Sequence, residues 1–189
     1  MSIEKQFITA NSLLSDSFRL AYQILESDFR PKFIAGVWRG GAPIGIAVQE
    51  LLEHHGVEAD HISIRTSSYI GMEQQKTVRV HGLEYIIENI NAQDSLLLVD
   101  DVFDSGRSLS AIVEKLRARC RRNMPDVVKI ATVYYKPLRN VSALKPDYFV
   151  HETDAWLVFP HELQGLTDEE LEDGKGINLE ELRRTRGPF

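Results

Sequence analysis

Residues 96–109 read LLLVDDVFDSGRSL, and this run constrains the fold more than any other stretch of the chain. Four consecutive apolar residues, Leu96 to Val99, suit a strand buried on both faces, as in the middle of a parallel sheet. Asp100 and Asp101 then fall at its carboxyl end, where open α/β sheets take their ligands. Two adjacent carboxylates repel each other, and a divalent cation such as Mg2+ or a pair of sugar hydroxyls would compensate them. Alternation along a strand sends the two side chains to opposite sides, so different partners are expected for each. Asp104-Ser105-Gly106-Arg107-Ser108 follows, short, hydroxyl-bearing and hinged on glycine, and it opens into a helix. Backbone N–H groups at a helix start form an anion site. Ser105 and Ser108 add hydroxyl donors there, and Arg107 either adds charge or points to solvent.

The rest of the chain alternates helix and strand, which predicts an α/β fold with a mostly parallel central sheet flanked by helices. Asn11–Glu26 carries Leu14, Phe18, Ala21 and Leu25 at helical spacing, and Lys32–Val37 reads as a buried strand. A turn, Trp38-Arg39-Gly40-Gly41, leads to a helix over Pro43–His54 with Ile44, Val48 and Leu51 on one face. The glycine turn again joins a strand end to a helix start, so its amides could hold a second anion. A strand is expected at His61–Arg65, then a long polar loop, TSSYIGMEQQKTVRV, of possible ribbon character. Further elements are a helix at Leu83–Ile90, a strand at Ser95–Val99, a helix at Ser108–Arg119 and a strand at Val127–Tyr135. Tyr148–Val150 and Trp156–Phe159 read as short strands of a less regular unit. Thr167 with Glu170 forms a capping box for a terminal helix.

The 189 residues fit one domain. No stretch approaches the roughly 18–20 apolar residues of a membrane span, and the N-terminus lacks the layout of a secretory signal. Cys120 is the single cysteine, which suits a reducing, cytoplasmic setting. The net charge of −6 argues against a dedicated nucleic-acid binder; Arg117, Arg119, Arg121 and Arg122 suit the end of a helix, where cations complement the dipole.

The segment LLLVDDVFDSGRSL resembles the phosphoribosyl pyrophosphate (PRPP) signature of the type I phosphoribosyltransferases, and the likeness extends over roughly residues 30–163. The enzymes it most resembles act on 6-oxopurines. The resemblance implies that Asp100 and Asp101 bind the ribose hydroxyls and associated magnesium. It implies that Asp104 to Ser108 hold the 5-phosphate, and that Asp104 lies near base N7 as proton acceptor. Arg39 and Gly40 match the pyrophosphate loop. Lys136 matches the lysine that reads the 6-oxo oxygen, Trp156 the stacking aromatic, and Leu157 the residue whose carbonyl meets the base edge. Glu162 matches a second metal-associated acid, and Ser67, Ser68 and Tyr69 the flexible loop of the hood. The implied architecture is a single phosphoribosyltransferase domain over residues 1–189. Its core spans about 30–140, and a base-binding hood is formed by about 141–166 with the N-terminal segment. The implied activity is purine salvage from PRPP with Mg2+, in a homo-oligomer such as a dimer or tetramer. Three rivals remain at this stage: a PRPP-sensing regulator of the same fold that binds nucleic acid, a pyrimidine-specific phosphoribosyltransferase, and a phosphoacceptor signalling domain.

Overall fold

Strand β2 (Phe33–Trp38) is buried over its first five residues, and it sits third in a six-stranded sheet of order β4-β3-β2-β5-β6-β7. Its neighbours are β3 (Asp60–Ile70) and β5 (Ser95–Phe103), both parallel to it. Beyond β5 lie β6 (Val127–Tyr135) and β7 (Tyr148–Glu152), also parallel. Only β4 (Lys76–His81), at the far edge, runs antiparallel. The structure, a computed structural model, describes residues 5–70 and 76–184. The chain divides into two units, Leu13–Asp154, which holds this sheet, and Met1–Ser12 with Ala155–Phe189. The mostly parallel, helix-flanked sheet is the one the alternating pattern predicts.

Helices cover both faces of the sheet. Phe33, Ala35, Leu96, Leu98 and Ile130 form one core with α3 (Glu84–Asn89) and α4 (Arg107–Cys120), whose Leu109, Ile112, Val113 and Leu116 all turn inward. Pleat alternation sends Ile34, Leu97 and Val99 to the opposite side, and α2 (Gly41–His54) packs on β2 and β5 there through Ile44, Val48 and Leu52. That approach is close: a Cβ on Gly45 would stand 3.4 Å from the Gly36 Cα.

Helix α1 (Ala10–Glu26) forms where expected but turns a different face inward. Leu13, Leu20, Ala21 and Ile24 are buried with Asp16 and Ser17, whereas Leu14 is 49% exposed. Two buried polar side chains favour this face. Asp16 pairs with His151 Nε2 and with Arg19, both at 2.8 Å, and the Ser17 hydroxyl donates to the Leu13 carbonyl at 2.7 Å. Apolar spacing alone does not register a buried polar anchor.

The strand predicted at His61–Arg65 is longer, and the expected polar loop is largely a ribbon. β3 continues to Ile70 and pairs with β4 from Arg65↔His81 to Ile70↔Lys76. Backbone pairing needs no apolar run, and basic residues suit an edge strand that must not pair further. β7, expected in a less regular unit, is the other edge of the central sheet, joined to β6 from Ala131↔Tyr148 onward.

Thr132, fully buried on β6, has a hydroxyl with no hydrogen-bond partner among the described residues. A buried unpaired hydroxyl costs about 1–3 kcal/mol. Thr132→Val should therefore raise the unfolding free energy by about 1 kcal/mol in a denaturant titration. A loss of stability would mean that Oγ1 has a partner in solution.

The smaller unit pairs β1 (Lys5–Phe7) in parallel with β8 (Trp156–Val158). It continues into α5 (Asp168–Lys175) and α6 (Leu179–Arg184). The Thr167–Glu170 capping box starts α5 as expected, and Lys5 Nζ lies 2.6 Å from the Glu170 carboxylate.

Candidate active site

The chain leaves β2 through α2 to reach β3 on one side, and later returns to place β5 on the other. The carboxyl ends of β2 and β5 therefore flank the point where strand order reverses, and a parallel sheet opens a crevice there. The two glycine-bearing turns read from the sequence both arrive at this point.

Asp100 and Asp101 lie inside β5, because the strand runs on to Phe103 instead of ending at Val99. Val102 and Phe103 pair with Tyr134 and Tyr135 of β6 and prolong it. The two acids face different neighbours, as alternation requires. A Cβ on Gly40 would fall 1.9 Å from Asp101 Oδ2, and one on Gly41 would fall 2.2 Å from the Val99 carbonyl and 2.8 Å from the Asp100 Cα. Glycine is thus required at both positions by close approach: the turn after β2 lies directly on the acid pair. The Trp38–Arg39 peptide of that turn is cis, and both residues are exposed. Loss of water contact, and secondly the Asp101 charge, push the Asp100 carboxyl well above its ordinary range. Among the described residues no group of three or more His, Cys, Asp and Glu side chains could hold a metal ion. Mg2+, however, commonly takes one or two carboxylates and completes its shell with substrate oxygens and water. A crowded carboxylate pair fits that requirement.

The loop after β5 is shaped by Gly106, at φ +75°, the residue before α4. A Cβ there would stand 2.2 Å from Ser142 Oγ and 2.9 Å from the Phe103 ring. The Val141 N–H reaches the Ser105 carbonyl at 3.2 Å and ties the loop from outside. Asp100, Asp104, Ser105, Gly106 and Ser108 line a pocket of about 80 Å3 at the start of α4. Arg107 stands apart from it. It is exposed and lines a separate groove of about 750 Å3 with Val78, Ser110, Glu114 and Val141.

Lys136 follows β6 immediately and is 5% exposed. Its Nζ lies 3.7 Å from Asp104 Oδ2, and its N–H bonds to the Phe103 carbonyl at 2.9 Å. Arg139 Nε lies 2.9 Å from Asp104 Oδ1. The sequence reading did not single out Arg139. Its position three residues after Lys136, across a proline turn, was the available signal.

Trp156, Leu157 and Glu162 belong to the smaller unit. Trp156 is 48% exposed and Leu157 is buried. Glu162 closes a turn: its carboxylate accepts the Phe159 N–H at 3.1 Å, and its N–H reaches the Phe159 carbonyl at 3.0 Å. Lys175 donates to the carbonyls of Phe159 and Glu162 and locks the same turn. Ser67 is a half-buried residue of β3. Ser68 and Tyr69 pair in the β3–β4 ribbon through their backbone, and their side chains lie outside the described residues.

An acid pair under a glycine turn, with a second glycine loop beside it at a sheet's switch point, places the chain among the α/β proteins whose sites lie at the carboxyl ends of their strands. The chain belongs to the phosphoribosyl transferase family, a family of PRPP-dependent transferases, whose domain profile matches residues 8–164. It is 28% identical over 149 residues to a hypoxanthine-guanine phosphoribosyltransferase of Lactococcus lactis, covering 78% of this chain and 75% of that one. It is 31% identical over 157 residues to a xanthine-guanine phosphoribosyltransferase of Desulfotalea psychrophila, covering 81% and 83%. Among solved structures, a purine phosphoribosyltransferase from Pyrococcus horikoshii superposes with a TM-score of 0.67 at 24% identity, over 87% of this chain and 98% of that one.

Proposed function

We propose that this enzyme transfers 5-phosphoribose from PRPP to N9 of a 6-oxopurine, hypoxanthine or guanine with xanthine as a further candidate, and serves purine salvage in the cytoplasm. The products are the nucleoside monophosphate and pyrophosphate. The observation that carries the reading is the contact of the Gly40-Gly41 turn with Asp100 and Asp101, one loop away from the Asp104–Ser108 pocket. A ribose with a phosphate at C5 and a pyrophosphate at C1 needs three such groups within one crevice. No helix among the described residues is long and apolar enough to cross a membrane.

In this mechanism the Asp104–Ser108 loop holds the 5-phosphate through its N–H groups, that of Arg107 among them, and through the Ser105 and Ser108 hydroxyls, while the Arg107 side chain lines the neighbouring groove. Asp100 and Asp101 accept the ribose hydroxyls and would hold Mg2+; Glu162, the further acid that the resemblance implies for metal, keeps its carboxylate on the Phe159 N–H of its own turn. Arg39 and Gly40 take the pyrophosphate. Mg2+, when bound, supplies charge that stabilises the departing pyrophosphate. The C1–N9 bond forms as the C1–O bond to pyrophosphate breaks, and Asp104 receives the proton that the base gives up. Lys136 donates to the 6-oxo oxygen, Trp156 stacks on the base and the Leu157 carbonyl reads its edge. Ser67, Ser68 and Tyr69 belong to the ribbon that shields the ribosyl centre from water.

A pyrophosphate-release assay with PRPP, Mg2+ and a panel of hypoxanthine, guanine, xanthine, adenine, orotate and uracil tests this. Release with 6-oxopurines alone is expected; release only with a pyrimidine, or none with any base, refutes it.

A further inference from the structure

Two cations face the Asp104 carboxylate from one turn of chain. Arg139 Nε meets Oδ1 at 2.9 Å and Lys136 Nζ faces Oδ2 at 3.7 Å. Pro137–Arg139 is a single 3-10 turn closed by the Arg139 N–H on the Lys136 carbonyl at 3.2 Å, and the Lys136 N–H is in turn pinned to the Phe103 carbonyl. The turn is thus anchored to the residue just before Asp104, and both cations arrive with their geometry set by backbone.

The two cations are not equivalent. The Lys136 side chain is 6% exposed and the Arg139 side chain 52%. A nearly buried ammonium has few alternatives to its carboxylate, whereas a half-exposed guanidinium is already solvated and gives up little by staying paired. The shorter contact belongs to Arg139. A substrate carbonyl that draws Lys136 away therefore leaves Asp104 paired, and the carboxylate keeps its place.

We infer that Arg139 is a positioning residue that retains the Asp104 carboxylate while Lys136 is handed over to the incoming base. The inference rests on the roles given above to Asp104 and Lys136. Without Arg139, Asp104 closes on Lys136, and every base must break that tighter pair before it can bind. The penalty then falls on the base and spares PRPP.

The test is steady-state kinetics of Arg139→Gln, with Arg139→Met, which keeps the apolar stem, measured alongside. KM for the purine should rise roughly tenfold or more, the worth of one hydrogen bond to a charged group, while KM for PRPP stays within about twofold. Arg139→Lys, which retains the charge, should recover most of the loss. In an Asp104→Asn background the Arg139→Gln effect on base KM should vanish, because the residue acts through that carboxylate. Equal rises in both KM values, no recovery with lysine, persistence of the effect without Asp104, or failure of both Gln and Met variants to fold would each overturn the inference. A wild-type enzyme inert towards every purine refutes the proposed function itself and takes this inference with it. An active wild type with an unaltered Arg139→Gln variant refutes the inference alone.

Discussion

Asp104→Asn should lower kcat by about 10²- to 10⁴-fold while PRPP affinity stays near that of the wild type. Asparagine keeps the size of the side chain and one acceptor oxygen, so the loop that enters α4 keeps its shape. It cannot take a proton, and it removes the single negative charge between Lys136 and Arg139. Lys136, 5% exposed, is then a buried ammonium without its carboxylate, and a modest fall in thermal stability should accompany the kinetic loss. Single-turnover measurement of nucleotide formation, beside direct titration with PRPP, separates the two effects. Parallel loss of turnover and PRPP binding would show that Asp104 shapes the phosphate loop and is not the proton acceptor.

Much of this arrangement is legible in the sequence itself. Leu96 to Val99 specify a strand buried on both faces, and the glycines at 40 and 106 mark places where a backbone must approach something or turn left-handed. Both signals are local. What stayed hidden was set by distant partners. Nothing in the spacing of α1 shows that Asp16 will be buried against His151, 135 residues away, and that pairing chooses which apolar stripe turns inward. β7 is five residues long, too short and too mixed to announce its place in the parallel sheet. The spacing of Arg139 from Lys136 is a weak signal for a related reason. A proline turn can send its last side chain to solvent or back across the strand end, and only the pinning of Lys136 to Phe103 decides between them. The polar ribbon of β3 and β4 lacked any apolar period because its stability comes from backbone pairing at an edge.

Gly40→Ala and Gly41→Ala should fail in different ways, and the contrast probes the contact on which the proposed chemistry depends. The added methyl at 40 meets the Asp101 carboxylate, at 1.9 Å from Oδ2 and 2.2 Å from Cγ. A carboxylate can swing aside, so the fold should survive with a loss of about 1–3 kcal/mol, typical of overpacking. On the proposed roles, however, the displaced acid can no longer face the ribose hydroxyls, and the turn can no longer offer its amides at the same depth. PRPP affinity should fall at least about tenfold, the scale of one charge-assisted hydrogen bond, with thermal stability only modestly reduced. At 41 the methyl meets main chain, the Val99 carbonyl at 2.2 Å and the Asp100 Cα at 2.8 Å. Neither can move without parting β5 from α2, so this variant should lose stability first and largest. Denaturant titration and PRPP titration of the two variants check the pair of outcomes. If Gly40→Ala bound PRPP as the wild type does, the turn after β2 would not be the pyrophosphate site, however closely it lies against the acids.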